Sequence, residues 1–145
     1  LSLSDYSVSL AVTPHLGEMA RLCSTDISNI ASDLISSAEE FARSQNVICV
    51  LKDAGTVVSN GNETYINTSG NSGMATAGSG DVLAGIFVGL TAQGMDLFEA
   101  AKLAVFLHGR AGDQAALRYG KRSMTSADLI DGLVFILAGS EDKVM

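Results

Sequence analysis

The chain contains no tryptophan, one proline and two cysteines among its 145 residues. The cysteines, Cys23 and Cys49, form no closely spaced framework, so they indicate reduced core residues of a cytoplasmic protein rather than disulfides. No apolar run approaches the ~20 residues that span a bilayer. The start of the chain also lacks the basic region and long apolar run of a signal peptide. The composition therefore predicts neither a membrane protein nor a disulfide-rich secreted one.

Charge is sparse as well. Only 17% of the residues are charged, and the formal net charge is −7. This acidic balance argues against a nucleic-acid partner, although a small phosphorylated ligand would respond to local donors and not to the mean charge. A hydrophobic content of 47% is enough for one domain with a buried core.

The stretch from Asn67 to Gly85 is rich in glycine and reads NTSGNSGMATAGSGDVLAG. Apolar residues at helical spacing follow, so the stretch predicts a glycine-rich loop that runs directly into a buried helix. The first backbone N–H groups of that helix, on Gly78, Ser79 and Gly80, would be uncovered and would suit a phosphate or another developing anion. Asp81, on the first turn, would either cap the helix or place a carboxylate beside that anion.

The other segments alternate between strand and helix patterns. Residues 9–13 read as a strand closed by Pro14, so His15 would lie in a strand-to-helix loop, where open α/β sheets place ligand-contacting groups. A lone histidine is also often a structural residue, and this pattern leaves both roles open. Residues 27–44 predict one helix and residues 47–51 a buried strand, which together give a βαβ unit with a parallel sheet.

The second half of the chain predicts mostly helices. A hairpin at residues 56–59 and 64–67 leads into the glycine-rich stretch. Helices are expected at residues 79–92, from residue 96 towards 119, and from residue 125 or 126 onward. We expect Gly85 and Gly89 to allow the first two of these helices to approach closely. We expect His108, inside the second, to be structural.

The segment GSGDVLAG at residues 78–85 resembles the anion-hole motif of the ribokinase-like kinases, in which the aspartate is the catalytic base. With the preceding Asn-x-Ser-Gly-Asn and Gly-Met-Ala-Thr, it is similar to the nucleotide-dependent NAD(P)H-hydrate dehydratases. Thr13, Pro14, His15, Gly17 and Glu18 also match that family's Thr-Pro-His-x-Gly-Glu segment. Related vitamin-precursor kinases tend to have asparagine at the position of His15.

The resemblance implies a role for each matched residue. Asp81 would be the base, with Gly78, Ser79 and Gly80 as the anion hole; His15, Asp81 and Asn71 would contact the substrate. Nucleotide contacts would come from Gly80 and from the segment Lys52, Asp53, Ala54, Gly55 and Thr56. The family often has glycine where this chain has Asp53, so the segment departs from the family's pattern at this position. The implied cofactors are ADP or ATP with Mg²⁺, and no residue set for a resident metal is implied.

The resemblance also implies the fold and the partners. Residues 1–145 would form the C-terminal portion of one ribokinase-like domain, a three-layer α/β/α fold with a largely parallel sheet. The implied reaction is repair of hydrated NADH or NADPH. Besides substrate and nucleotide, the expected partners are the N-terminal remainder of the domain and further copies in a homo-oligomer, without nucleic acid or membrane, in the cytoplasm.

Two other functions are compatible with the residues. A ribokinase-like kinase of a sugar or a hydroxymethylpyrimidine-type alcohol shares the GSGD chemistry and differs at His15 and in the glycine-rich stretch. A non-catalytic binding or assembly module is suggested by the short chain. Lys52 and Asp81 argue against the module, because such a protein needs neither a phosphate-contacting lysine nor a base.

Overall fold

The computed structural model describes residues 2–141. The chain divides into two compact units. The first, here called the sheet unit, comprises Leu1–Asn67 and Asp96–Lys102. The second, the helical unit, comprises Thr68–Met95 and Leu103–Met145. Among the described helices, none has the length and apolar content needed to cross a membrane.

The sheet unit contains four strands in the order β1-β2-β3-β4. They are β1 (Ala11–Val12), β2 (Ile48–Leu51), β3 (Val57–Ser59) and β4 (Thr64–Ile66). The pairing of β1 with β2 is parallel, and the other two pairings are antiparallel. The α/β class is confirmed. The sheet is mixed, and its parallel part is smaller than expected, because the chain turns back after β2 as well as after β3.

The helices of the sheet unit are α1 (Leu16–Leu22), α2 (Ile27–Ser32) and α3 (Leu34–Gln45). The prediction of one helix over residues 27–44 is wrong, because Asp33 breaks it with an extended backbone at φ −152°. The Asp33 carboxylate accepts hydrogen bonds from the backbone N–H and the hydroxyl of Ser36, which lowers the pKa of this carboxyl. An aspartate that binds local backbone N–H groups favours a cap over a helix interior.

The two cysteines have different environments. Cys49 is fully buried in the core of the sheet unit with Met19, Ala38 and Leu51, and burial raises the pKa of its thiol to about 12. Such a thiol stays protonated and unreactive at neutral pH. The prediction that Cys23 is a core residue is wrong, because its side chain is exposed after the end of α1. Its neighbours in α1, Met19 and Ala20, provide the buried face of that helix.

The helical unit contains α4 (Ser79–Ala92), residues 103–119 of α5 (Leu97–Tyr119), and α6 (Ser126–Glu141). Helix α4 has the bounds predicted from the sequence. It is followed by Gly94 in a left-handed conformation, at φ +88°, as expected for a helix stop. Part of the core of this unit consists of Ala115, Met124 and Leu129, with Met74, Val82 and Ala116 packed against them.

Close helix approach occurs at other glycines than those expected. A Cβ atom added to Gly85 or Gly89 would meet no atom of another described element within 4 Å, so the expectation for these two residues is wrong. A Cβ on Gly132 of α6 would instead lie 3.1 Å from the carbonyl carbon of Ala111 in α5. The spacing of apolar residues in α4 predicts a helix but does not show which element packs against each of its faces. The close approach was therefore assigned to the wrong glycines.

Candidate active site

His15 begins helix α1 and is held by a reciprocal pair of caps. Its Nδ1 accepts from the backbone N–H groups of Gly17 at 3.0 Å and Glu18 at 3.2 Å, while Glu18 Oε2 accepts from the His15 N–H at 2.7 Å. This is a capping box with an imidazole in the place of the usual hydroxyl. Because Nδ1 accepts, the proton of the neutral ring belongs on Nε2. The His15 side chain remains 55% exposed, so the cap and a ligand contact are compatible.

Lys52 lies beside His15 because the parallel pairing of β1 and β2 continues past both strands. The two residues form an isolated parallel bridge, and the Lys52 N–H donates to the Pro14 carbonyl at 2.8 Å. Lys52 Nζ is 3.9 Å from Glu18 Oε2, and His15 Nε2 is 3.5 Å from Glu18 Oε1. Both predicted ligand contacts therefore lie at the carboxyl ends of parallel strands, as is common for α/β binding sites.

Glu18 is a residue to which the sequence reasoning gave no role of its own. The backbone N–H of His15 holds the pKa of the Glu18 carboxyl below its ordinary value, and the charge of Lys52 acts in the same direction against partial desolvation. Glu18 thus stays ionised between the two basic side chains. Its spacing of three residues from His15, typical of a capping box, was the signal in the sequence.

The predicted nucleotide segment forms the turn from β2 to β3. Asp53 and Ala54 are exposed, and Gly55 and Thr56 are half-buried. The Thr56 hydroxyl donates to the Asp53 carbonyl at 3.3 Å and closes the turn. Near His15, a separate open cleft of about 500 Å³ is lined by Val12, Thr13, Pro14, Glu18, Arg21 and Leu22. Its volume is in the range of small-molecule sites.

In the helical unit, Gly78 begins helix α4 in a left-handed conformation at φ +84°. A Cβ at this position would lie 2.8 Å from the Ser126 hydroxyl, so both the dihedral angle and the space favour glycine. The Ser79 N–H donates to the Thr76 carbonyl at 3.3 Å, whereas the Gly80 N–H has no acceptor among the residues described. Of the three predicted anion-hole amides, those of Gly78 and Gly80 have no acceptor within residues 2–141, and that of Ser79 is used inside the loop.

Asp81 lies on the first turn of α4, and its side chain is exposed. The start of α4 has no side-chain cap, and no hydrogen bond or ion pair holds this carboxylate within the described part of the chain. The capping alternative is therefore not the arrangement seen. A carboxylate without a structural partner beside a free amide is suited to proton transfer.

Asn71 uses its side-chain amide inside the loop. Its Oδ1 accepts from the Gly73 N–H at 3.0 Å, and its Nδ2 donates to the Gly112 carbonyl at 3.0 Å and to Asp113 Oδ1 at 3.1 Å. Both amide hydrogens are thus occupied. The predicted substrate contact of Asn71 stays a prediction, and only the second lone pair of Oδ1 is left for it. Asp113 was missed, because a single acidic residue within a helical pattern gives no signal.

The resemblance implies Mg²⁺, for which the described residues offer single carboxylates and no cluster. Across residues 2–141, no three His, Cys, Asp or Glu side chains cluster closely enough to hold a metal. Mg²⁺ in nucleotide sites commonly uses substrate phosphates, water and one or two carboxylates. The exposed carboxylate of Asp53, next to Lys52, is a donor of that kind.

A family model described as NAD(P)H-hydrate dehydratase matches residues 3–134. The chain belongs to the NAD(P)H-hydrate dehydratase family. It is 47% identical over 136 residues to a bifunctional NAD(P)H-hydrate repair enzyme of Moorella thermoacetica, a match that covers 93% of this chain and 26% of the relative. The family that was recognised from the GSGD and Thr-Pro-His segments is thereby confirmed.

Two solved structures support the fold of the dehydratase family for this chain. An ADP/ATP-dependent NAD(P)H-hydrate dehydratase from Bacillus subtilis, co-crystallised with ATP and Mg²⁺ and soaked with CoA, is 26% identical with a TM-score of 0.85. A ribokinase-like superfamily protein from Enterococcus faecalis is 28% identical with a TM-score of 0.73. The matches cover 90% and 94% of this chain, but 48% and 49% of those structures. The chain therefore has a ribokinase-like fold and spans about half of these relatives.

Proposed function

We propose that this chain supplies the base, the anion hole and part of the ligand contacts of a dehydratase that restores NADH or NADPH from their hydrates. The reaction would convert ADP to AMP and phosphate, or ATP to ADP and phosphate. The observation that carries the proposal is the unpartnered Asp81 carboxylate, one residue after the free Gly80 amide, in a chain of this family.

The proposed chemistry begins with a phosphoryl transfer. Asp81 takes the proton of the substrate hydroxyl as its oxygen attacks the terminal phosphorus of the nucleotide, and the bond to the leaving nucleotide breaks. The amides at Gly78, Ser79 and Gly80 would stabilise charge on the transferred phosphoryl oxygens, and those of Gly78 and Gly80 are free to do so within the described residues. The C–O bond of the phosphorylated hydrate then breaks, phosphate leaves with the bonding electrons, and a neighbouring ring carbon loses a proton. This elimination restores the double bond of the nicotinamide ring.

The sheet unit would supply the ligand contacts. Lys52 and the turn of Asp53, Ala54, Gly55 and Thr56 would hold the nucleotide phosphates, and His15 would contact the hydrated nicotinamide. Mg²⁺, held by phosphate oxygens and the Asp53 carboxylate, would offset phosphate charge. We further infer that the protein is cytoplasmic and acts as a homo-oligomer. Residues 1–145 would form one domain together with its N-terminal remainder.

Product analysis tests the proposal. The assay uses the completed domain, here defined as this chain preceded by the corresponding N-terminal portion of the Moorella thermoacetica relative. With hydrated NADH and ADP or ATP, a dehydratase yields NADH and free phosphate. A stable phosphoester would identify a small-molecule kinase, and nucleotide binding without turnover would identify a binding module. Either result would refute the proposal.

His15 should determine affinity for the substrate and not for the nucleotide. We expect His15→Asn to weaken binding of the hydrated dinucleotide by about tenfold, the scale of one hydrogen bond of roughly 1.5 kcal/mol. Affinity for AMP or ADP should stay nearly unchanged. Calorimetric titration of the completed domain with each ligand provides the measurement.

The His15 experiment needs a control for the helix cap. Asparagine can still accept the Gly17 and Glu18 amides, whereas His15→Ala removes the cap at a cost of about 1 kcal/mol in folding free energy. Comparing the two variants separates stability from ligand contact. An equal loss of affinity for both ligands in His15→Asn would contradict the assignment.

A further inference from the structure

One face of α5 carries the glycine-rich loop, here defined as residues 69–80. His108, Gly109, Gly112 and Asp113 all contact this loop. Their spacing places them on one side of an α-helix, since residues three to four apart are neighbours on its surface. The loop therefore lies along a single face of one helix in the helical unit.

Asp113 anchors the beginning of the loop. Its Oδ2 accepts from the Gly70 N–H at 3.1 Å and its Oδ1 from Asn71 Nδ2 at 3.1 Å. The side chain is half-buried, and a carboxylate that accepts N–H bonds binds more strongly than a neutral acceptor. Asn71 also restrains Gly73, because its Oδ1 accepts a hydrogen bond from the Gly73 N–H at 3.0 Å. The Asp113 carboxylate thus holds Gly70 and Asn71 directly, and Gly73 through the Asn71 side chain.

Two glycines let the loop approach the helix backbone. A Cβ on Gly109 would lie 2.7 Å from the carbonyl carbon of Ser69, and one on Gly112 would lie 2.6 Å from Met74 Cγ. Any side chain there would push the loop away. Glycine inside a helix costs about 1 kcal/mol relative to alanine, so its presence at both contact points indicates a packing requirement.

The far end of the loop rests on the same face. Ser79 is buried, and its hydroxyl is 3.2 Å from His108 Nε2. Ser79 lies between Gly78 and Gly80, whose amides have no acceptor within residues 2–141, and is followed closely by the Asp81 carboxylate of the candidate site. Both ends of the loop are therefore tied to α5, and the position of the Gly80 amide depends on these ties.

We propose that Asp113 is a positioning residue for the reaction: by fixing Gly70 and Asn71, it sets the place of the Gly78–Gly80 amides and of Asp81. The proposal rests on the proposed function, since it assigns those groups a transition state to stabilise. Asp113 itself lies at the start of the loop and acts on the reacting atoms through it. Its effect should therefore appear in kcat, because small displacements of catalytic groups lower the rate more than they lower binding.

The test is Asp113→Asn in the completed domain. Asparagine keeps the shape but places an NH₂ group against one of the two N–H donors. We expect kcat to fall by about 10²-fold, while KM for the nucleotide changes far less. Hydrogen exchange of the loop amides should become faster, without a matching change in α6. The control is Asp131→Asn, which removes an exposed charge from α6 and should leave kcat and loop exchange unchanged.

A second variant guards against a folding defect. Asn71→Ala removes the partner of Asp113 and should also lower kcat, and the double variant should be no worse than the worse single one, because both act through one network. Strictly additive effects, or a wild-type kcat with unchanged loop exchange in Asp113→Asn, would overturn the proposal. A domain without dehydratase turnover that shows the expected change in loop exchange would refute the proposed function and retain Asp113 as the anchor.

Discussion

Replacing Asp81 with asparagine is expected to lower turnover of the completed domain by about 10²–10⁴-fold, the usual contribution of a general base. Binding of ADP or ATP should persist. Asparagine has nearly the size of aspartate and can also serve at a helix N-terminus, but it cannot take the proton of the attacking hydroxyl. The expected loss therefore lies in the chemical step.

The structure makes this substitution informative. Asp81 is exposed and has no structural partner within residues 2–141, so its replacement breaks no hydrogen bond of the fold. Asp96 gives the contrast, because its carboxylate caps α5 by accepting the N–H groups of Phe98 at 2.9 Å and Glu99 at 3.2 Å. A loss of turnover in Asp81→Asn without a loss in Asp96→Asn would therefore be assigned to the proton transfer and not to helix capping.

Steady-state kinetics and nucleotide titration of both variants provide the measurement. Asp96→Asn should keep wild-type turnover, since asparagine is also a good N-cap. Near-normal turnover in Asp81→Asn would show that Asp81 is not the base and only stabilises the N-terminus of α4 by its charge. The base would then have to be sought elsewhere.

Expressed alone, the 145-residue chain is expected to self-associate, aggregate or bind a hydrophobic dye, and to show no dehydratase turnover. The physical reason is exposed apolar surface. On α6, Val134 and Phe135 are 62% and 66% exposed, and Leu117 of α5 is 81% exposed. Contiguous apolar surface beyond several hundred Å² is unusual on a soluble monomer and marks an interface.

The sheet unit points in the same direction. Strand β1 lies at the edge of the described sheet, so one of its sides presents N–H and C=O groups for another strand. Ile27 of α2 and Ile35 of α3 are exposed at 53% and 40%. Helix α6 exposes more large apolar side chains than α2 or α3, among them Ile130 at 52% and Leu137 at 46%.

Size-exclusion chromatography with light scattering, dye binding and turnover assays test this expectation. Supplying the N-terminal portion, fused as in the completed domain, should restore a defined particle and activity together. A monodisperse and fully active 15.0 kDa monomer would contradict the expectation. It would also contradict the view that the candidate site is shared between two segments of the domain.

How far the sequence predicted the site depended on the range of the interactions. The bounds of α4 at Ser79 and Ala92 were predicted correctly, because helical periodicity and the glycines that flank a helix are local properties of the chain. The family was also recognised correctly from short motifs such as GSGD. The break at Asp33 was missed, although an aspartate three residues before Ser36 is itself a local N-cap pattern.

Long-range contacts were not accessible in this way. The bonds from Asp113 to Gly70 and Asn71 join residues far apart in the chain, and helical periodicity cannot show which loop a helix face will meet. The same holds for Gly85 and Gly89, which were expected to pack against a helix and face open space. His108 was expected to be structural, but helical periodicity could not show that its partner is Ser79. A glycine or a histidine in a helical sequence is compatible with several contacts, and only the tertiary structure identifies the partner.

The parallel pairing of β1 with β2 has a consequence for folding kinetics. Val12 pairs with Cys49 across all of α1, α2 and α3, whereas β2, β3 and β4 are joined by short turns. Closing a long loop costs more chain entropy than closing a hairpin, so contacts of this kind tend to form late. The bridge between His15 and Lys52 extends this pairing. The proposed ligand contacts of the sheet unit should therefore be among the last parts of that unit to assemble. Protection of the Lys52 amide before that of the β3–β4 hairpin in pulsed hydrogen exchange would show the reverse order.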